Sequence, residues 1–304
     1  MTQGFEVAAL GAAFAWAIGG LIAAWPTKVL GGPRFTRLRM YWVALALVVI
    51  ATALGGWDTL GSREVTLLGA SGVVGLAFGD VALFTAFARL GPRRTGILFA
   101  ANAPMAAVAS AVIFDERFSA TALVGSAFVM VGVTLAIAFG TRVGQSHHWE
   151  AIHGSVWVGV GFGLLGAAGQ AGGVLLADPV FDVDPDPWAA AAVRAIVGLA
   201  ALVALRGYFE KRAQVPYPPR TGPTRIGWKL WGIIIISGTI AMVIGKTLVL
   251  IALSGGDPGI VSVLVATSPV LQLPLIWLVT RERPATGAWT GALLATLGTG
   301  LIVL

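Results

Sequence analysis

Asp80 and Lys246 are the residues of this chain best placed to do electrostatic work, because each stands inside a long apolar run. Asp80 lies nine residues before Arg89, about 13 Å from that end at a helical rise of 1.5 Å per residue. Lys246 lies eleven residues before Asp257, about 16 Å by the same rise. A charge at such depth costs a few kcal/mol by insertion scales, so it faces protein or water rather than lipid. One acidic and one basic pole suit a zwitterionic solute. The competing structural role is an ion pair between the two, which meets the same burial cost. Arg194 is the third charge read as lying within a span, about two turns into its helix. It is expected to snorkel to the interface; its alternative is a planar fork holding a carboxylate by two hydrogen bonds.

Around these charges lie residues that can shape a ligand surface. Asn102, Thr267, Ser268 and Gln272 carry hydrogen-bonding groups next to Pro104 and Pro269. Both prolines are expected in the middle of helices, where a missing N–H kinks the chain. They are read as hinges or as sites where freed carbonyls line a cavity, against the plainer reading of static kinks. Gln170 and Trp16 fall at corresponding points of two other spans, an amide beside an aromatic wall. Phe78, with Phe84 and Phe99, supplies an apolar face. For all of these polar side chains the alternative is interhelical hydrogen bonding.

The elements that must position them are membrane helices. The chain of 304 residues is 57% hydrophobic and only 11% charged, with a mean hydropathy of +0.86, too few charges to cover a soluble surface. Ten apolar stretches near 20 residues are read at about 4–24, 36–54, 64–88, 94–114, 119–139, 154–177, 188–206, 228–252, 258–279 and 285–304. The alternation of a β-barrel is absent. Of the 20 Lys and Arg, all but Arg63, Arg117, Arg194 and Lys246 fall on one side of this arrangement. That side is assigned to the cytoplasm, which places both termini in the periplasm. The net charge of +6 is explained by orientation, and nucleic acid is not expected as a partner. Trp25, Trp57, Trp188, Trp228 and Trp289 fall near span ends and read as interfacial anchors.

The sequence also repeats itself. Gly79/Gly245, Pro92/Pro258, Glu116/Glu282, Arg117/Arg283, Gly125/Gly291 and Gly132/Gly298 share one offset of 166 residues; Pro104/Pro269 slips by one. The halves are 1–140 and 154–304, joined by the polar connector 141–153. Five spans is an odd number, so the second half enters from the opposite side and the repeats are inverted. The recurring pattern is Ala103–Pro104, Asp115–Glu116–Arg117, Gly125 and Gly132, then Ser268–Pro269, Arg281–Glu282–Arg283, Gly291 and Gly298. It resembles the EamA repeat of the drug/metabolite transporter superfamily, and within it the YddG-type bacterial amino-acid exporters. The resemblance implies an all-α membrane protein of ten transmembrane helices around a central cavity, in a bacterial inner membrane, exporting small metabolites. Gly125–Gly132 and Gly287–Gly291–Gly298 mark faces of close helix packing, within the fold or at a weak dimer interface.

Several chemistries are excluded or disfavoured. No Walker A sequence is present, so this chain is no ATPase. His147, His148 and His153 lack cysteine partners and read as a solvated connector rather than a metal site. Asp182, Asp184 and Asp186 are interrupted by Pro185 and Pro187 and read as an extended loop, not a calcium site. No nucleophile, base or metal cluster falls in the spans, so neither an enzyme nor a cofactor is expected. The leading expectation is a secondary exporter of aromatic or large neutral amino acids by alternating access, a monomer or weak homodimer with protons as the candidate coupling ion. A multidrug exporter of cationic aromatic compounds and a non-transporting scaffold subunit are the alternatives.

Overall fold

The computed structural model describes residues 3–114, 120–139, 152–177, 179–180, 185–212, 226–253, 264–265 and 267–303. Among the described residues the regular elements are all helical, as they must be where no water can satisfy a backbone amide. In chain order they are α1 (Gln3–Leu30), α2 (Gly32–Leu54), α3 (Ser62–Ser71), a π-helical segment (Gly72–Gly79), α4 (Asp80–Leu90), α5 (Pro92–Phe99), α6 (Asn102–Phe114) and α7 (Ala120–Phe139). Then follow α8 (Val156–Ala177), α9 (Pro187–Ala204), α10 (Arg206–Arg212), α11 (Trp228–Gly238), a second π-helical segment (Thr239–Ile244), α12 (Gly245–Leu253), α13 (Ser268–Thr280) and α14 (Thr286–Val303).

Among the described residues six continuous rods are long and apolar enough to cross a membrane: Gly4–Leu30, Gly32–Leu54, Ser62–Leu90, Val156–Ala177, Pro187–Ala204 and Trp228–Val249. Their outward faces carry Trp157 and Trp228, each 79% exposed, surfaces that fit lipid and not water. The expected span 94–114 is interrupted. α5 ends at Phe99, residues 100–101 form a turn, and α6 starts at Asn102. In the equivalent span of the second half Leu264 and Val265 are helical, Thr267 is a turn and the long helix starts at Ser268, with residues 254–263 and 266 outside the described set. Pro104 and Pro269 therefore stand in the first turn of a half-helix, where a missing N–H breaks no internal bond.

Two connections differ from the expected loops. Gly31 alone separates α1 from α2, and Gly91 alone separates α4 from α5, with φ of 74° and 83° that favour glycine. Prolines in the following first turns, Pro33 and Pro92, start the next helices. Basic residues counted on the cytoplasmic side thus ride on helix ends, and Lys28, Arg37, Arg39, Arg89, Arg93 and Arg94 are all buried. Arg37 reaches Glu210 of α10 at 2.9 Å, and Glu210 also takes Arg206 at 3.2 Å.

The halves interlock through glycine. α8 lies on the first π segment, with Gly169 and Gly173 against Gly79 and Gly75, and the Ser71 hydroxyl donates to the Gly173 carbonyl at 2.5 Å. α1 lies on the second π segment and α12 in the same way, with Gly19 on Ala241 and Trp16 on Gly245. α7 and α14 run antiparallel in close contact. A Cβ at Gly132 would stand 2.5 Å from the Gly291 carbonyl, and one at Gly291 would stand 2.5 Å from that of Gly132. Gly125 and Gly298 face each other in the same reciprocal manner. The glycine stripes of these two helices therefore pack against each other inside the chain. Overpacking of this kind costs about 1–3 kcal/mol or more. Gly132→Leu and Gly291→Leu are expected to lower the thermal unfolding midpoint of the detergent-purified protein. Gly161→Leu, at a position with nothing within 4 Å, should not; equal midpoints for all three would refute the packing assignment.

Candidate functional site

The two π-helical segments set the site. Each adds a residue to a helical turn, so the Asp80 N–H reaches back to the Gly75 carbonyl and the Gly245 N–H to that of Ile240. Wide turns of this sort are uncommon and concentrate at functional positions. Here they end at Gly79 and Ile244, directly before Asp80 and one residue before the Gly245–Lys246 pair. Asp80 and Lys246 thus occupy the first turns of α4 and α12, after matching irregularities in the two halves.

Asp80 is 4% exposed, and both of its carboxylate oxygens are engaged. Oδ2 accepts a hydrogen bond from Arg39 Nη2 at 3.0 Å and Oδ1 accepts one from Gln170 Nε2 at 2.8 Å. Gln170 Nε2 also donates to the Gly75 carbonyl at 3.2 Å, joining α8 to the widened turn. The Arg39 guanidinium lies 4.3 Å from the Phe84 ring centroid and 5.5 Å from that of Phe35. Those rings exclude water and attract the cation through their π faces. On the same face of α2, one turn on, Trp42 Nε1 donates to Thr239 Oγ1 of the second π segment at 2.8 Å. α2 consequently touches both widened turns.

This corrects two expectations. The carboxylate is not paired with Lys246, and its partner is Arg39, which had been counted only with the basic residues of the cytoplasmic side. Arg39 is a fourth deep charge. The available signal was Pro33: if that proline opens the helix, Arg39 stands two turns inside it. Arg194 is also corrected. Rather than snorkelling, it lies against the first π segment, its backbone carbonyl next to Gly72 and its Nη2 3.7 Å from where a Gly75 Cβ would stand. Arg39 and Arg194 each stand seven residues beyond the first residue of their helices, Gly32 and Pro187.

Lys246 is half-buried, and Trp16 covers the preceding Gly245, whose Cβ would meet the indole at 2.7 Å. Arg194 and Lys246 lie within electrostatic range of Asp80 and of each other. Among the described residues neither has a hydrogen-bond or ion-pair partner, and Arg194 Nε is fully buried. One carboxylate therefore has three basic side chains within electrostatic range. The remaining residues spread outward. Gln272 is 5% exposed, its amide set between Gly20 of α1 and Gly96 of α5, one turn along α1 from Trp16. Asn102 and Ser268 are half-buried at the starts of α6 and α13, beside Pro104 and Pro269. Phe78 is not brought to the charges: it is 42% exposed and meets Phe209 edge-on at 5.2 Å.

The other polar motifs have structural duties where they are described. Asp186 caps α9 by accepting from the Ala189 N–H at 2.8 Å, and its own N–H donates to Thr59 Oγ1 at 2.9 Å. The His153 N–H donates to the Arg89 carbonyl at 2.9 Å; burial, then the charge of Lys28, lowers the imidazole below its ordinary pKa. His147, His148, Asp182 and Asp184 lie outside the described residues. No group of metal-ligating side chains is present among the described residues.

Removing one member of a buried ion pair strands the other, at a cost of about 3–5 kcal/mol. Arg39→Gln and Asp80→Asn are each expected to destabilise the detergent-solubilised protein by that order. The double variant should lose clearly less than the sum of the two, as a cycle of unfolding measurements would show. Simple additivity would refute the pairing.

Comparisons with known proteins bear on this arrangement. Residues 5–138 and 157–304 each match the model of the EamA-like transporter family. One solved crystal structure of a protein superposes with a TM-score of 0.62 at 16% identity, covering 98% of this chain and 96% of that one, a likeness of fold alone. No curated protein matches the sequence.

Proposed function

The chain belongs to the EamA-like transporter family, multi-pass membrane transporters of small substrates rather than enzymes, and we propose that it is a secondary exporter of amino acids, aromatic or large neutral, or of closely related metabolites. In this reading the chain crosses a bacterial inner membrane ten times as two inverted five-helix repeats, 1–140 and 154–304, joined by 141–153, with both termini periplasmic. The repeats rock about a midplane site in alternating access.

The observation that carries the reading is the placement of two charged residues after matching π-helical turns, one in each half. Each turn is covered by the first helix of the other half: α8 lies over Asp80 and α1 beside Lys246. Relative movement of the halves would change the surroundings of both charges at once. The interrupted helices at 100–101 and before Ser268 support the same reading, because broken helices are where transporters expose backbone groups to a solute. Lys246, Gln272, Asn102, Ser268 and Trp16 are proposed to meet the solute, Asp80 and Gln170 to organise the site, and Pro104 and Pro269 to mark the hinges. Protons are the proposed coupling ion. The reading for cationic drugs is disfavoured because Arg39 and Gln170 already occupy the carboxylate that a cation would need.

Uptake of labelled amino acids into proteoliposomes, with and without a pH gradient, tests the reading. Saturable uptake of aromatic or large neutral amino acids is expected, accelerated by the gradient. Folded protein that moves none of them would overturn it, and flux indifferent to the gradient would remove the proton from the mechanism.

A further inference from the structure

We propose that Lys246 and Arg194 form an anion subsite for the carboxylate of the solute, and that Asp80 is a positioning residue rather than a pole for the solute's ammonium group. The inference deepens the exporter reading and rests on it for the identity of the ligand as cargo. It changes the solute class: the recognised feature is a carboxylate, and the amine is dispensable.

The argument begins with charge. Three basic side chains, Arg39, Arg194 and Lys246, lie within electrostatic range of the one carboxylate of Asp80, and Arg194 Nη2 lies against Gly75, whose carbonyl Gln170 holds together with that carboxylate. Arg39 is matched to Asp80 at 3.0 Å, with side-chain exposures of 4% and 6%. Phe84 and Phe35 cover the guanidinium of that pair and Gln170 takes the second carboxylate oxygen. A solute ammonium would have to displace Arg39 or Gln170 to reach Asp80. Lys246 and Arg194 are left without an acceptor among the described residues, inside apolar rods where an unmatched charge is costly. They also repel each other, and an anion between them would relieve both costs.

The surroundings suit a carboxylate with an apolar body. Gly72 and Gly75 have no side chains, which lets α9 bring Arg194 against the first π segment. On the other side Gly245, the residue before Lys246, lets the Trp16 indole pack against α12. The ammonium offers three donors and the guanidinium five, enough to saturate a carboxylate, with the fork of Arg194 suited to a bidentate grip.

The test compares an aromatic amino acid with its N-acetylated form, which keeps the carboxylate, and its decarboxylated amine, which keeps the ammonium. Each is measured as a competitor of flux in proteoliposomes and as a thermal stabiliser of the full chain in detergent. The amino acid and its N-acetyl form are expected to compete and stabilise, and the amine to do neither. Lys246→Gln and Arg194→Gln should each weaken the carboxylates about 10-fold or more, the size of a lost hydrogen bond to a charged group, and Lys246→Arg should restore most of that loss. The wild-type midpoint should survive Lys246→Gln, because that side chain pairs with nothing among the described residues. Stabilisation by carboxylates without flux would uphold the subsite while defeating the exporter reading. Equal competition by the amine, an unchanged affinity in Lys246→Gln, or stabilisation by chloride matching that by the carboxylates would overturn the subsite.

Discussion

The burial of the Asp80 carboxylate is the constraint on which this structure turns. An ionised carboxylate within an apolar helix bundle must be matched by hydrogen bonds and opposite charge, since its desolvation alone costs several kcal/mol. The chain meets that demand with groups from two other helices, Arg39 of α2 and Gln170 of α8. Because Gln170 also holds the Gly75 carbonyl, the same amide fixes the widened turn that aims the carboxylate inward. Trp42, one turn beyond Arg39, ties α2 to the second widened turn through Thr239. A single face of α2 thus registers the central rod of one half against that of the other.

The glycines explain how so many helices approach these charges. In lipid there is little hydrophobic force between helices, so contact area and backbone proximity must hold them together. Gly79 and Gly75 admit the backbone of α8, Gly72 admits that of α9, and Gly245 admits Trp16. At the far edge, the reciprocal approach of Gly132 to Gly291 and Gly125 to Gly298 gives α7 and α14 a rigid antiparallel seam. The charged centre is therefore held by side-chain hydrogen bonds, and the periphery by bare backbone.

Much of this could be read in the sequence. The offset of 166 residues placed Gly79–Asp80 and Gly245–Lys246 in register, and both charged residues follow matching π turns. Six of the expected spans form continuous rods. What remained hidden has physical causes. A π turn is set by tertiary packing on the Gly-rich stretch 72–79 and leaves no signature in composition. The partner of Asp80 was missed because Arg39 sits close to other basic residues. A cluster of Lys28, Arg34, Arg37 and Arg39 reads as a loop until Gly31 is seen to turn the chain by itself. Arg194 was given to the interface because depth along a helix does not reveal which way a side chain leans. The prolines, expected in mid-helix, stand instead in first turns, because the turn at 100–101 and the turn at Thr267 end the preceding helix before them.

The two halves carry the same scaffold and opposite charge. The acid of the first half is neutralised from within that half by Arg39 and steadied from the second half by Gln170, while the base of the second half has no hydrogen-bond partner among the described residues. A duplicated fold with both charges satisfied would have no reason to bind a third ion. A fold with both charges open would be difficult to keep dry and folded. With one pair closed, and Lys246 and Arg194 without a partner among the described residues, the stability of the bundle rests on Asp80 and Arg39, and recognition is left to Lys246 with Arg194. The residues that keep the protein folded and those that meet a solute can then change independently, although they lie within electrostatic range of one another.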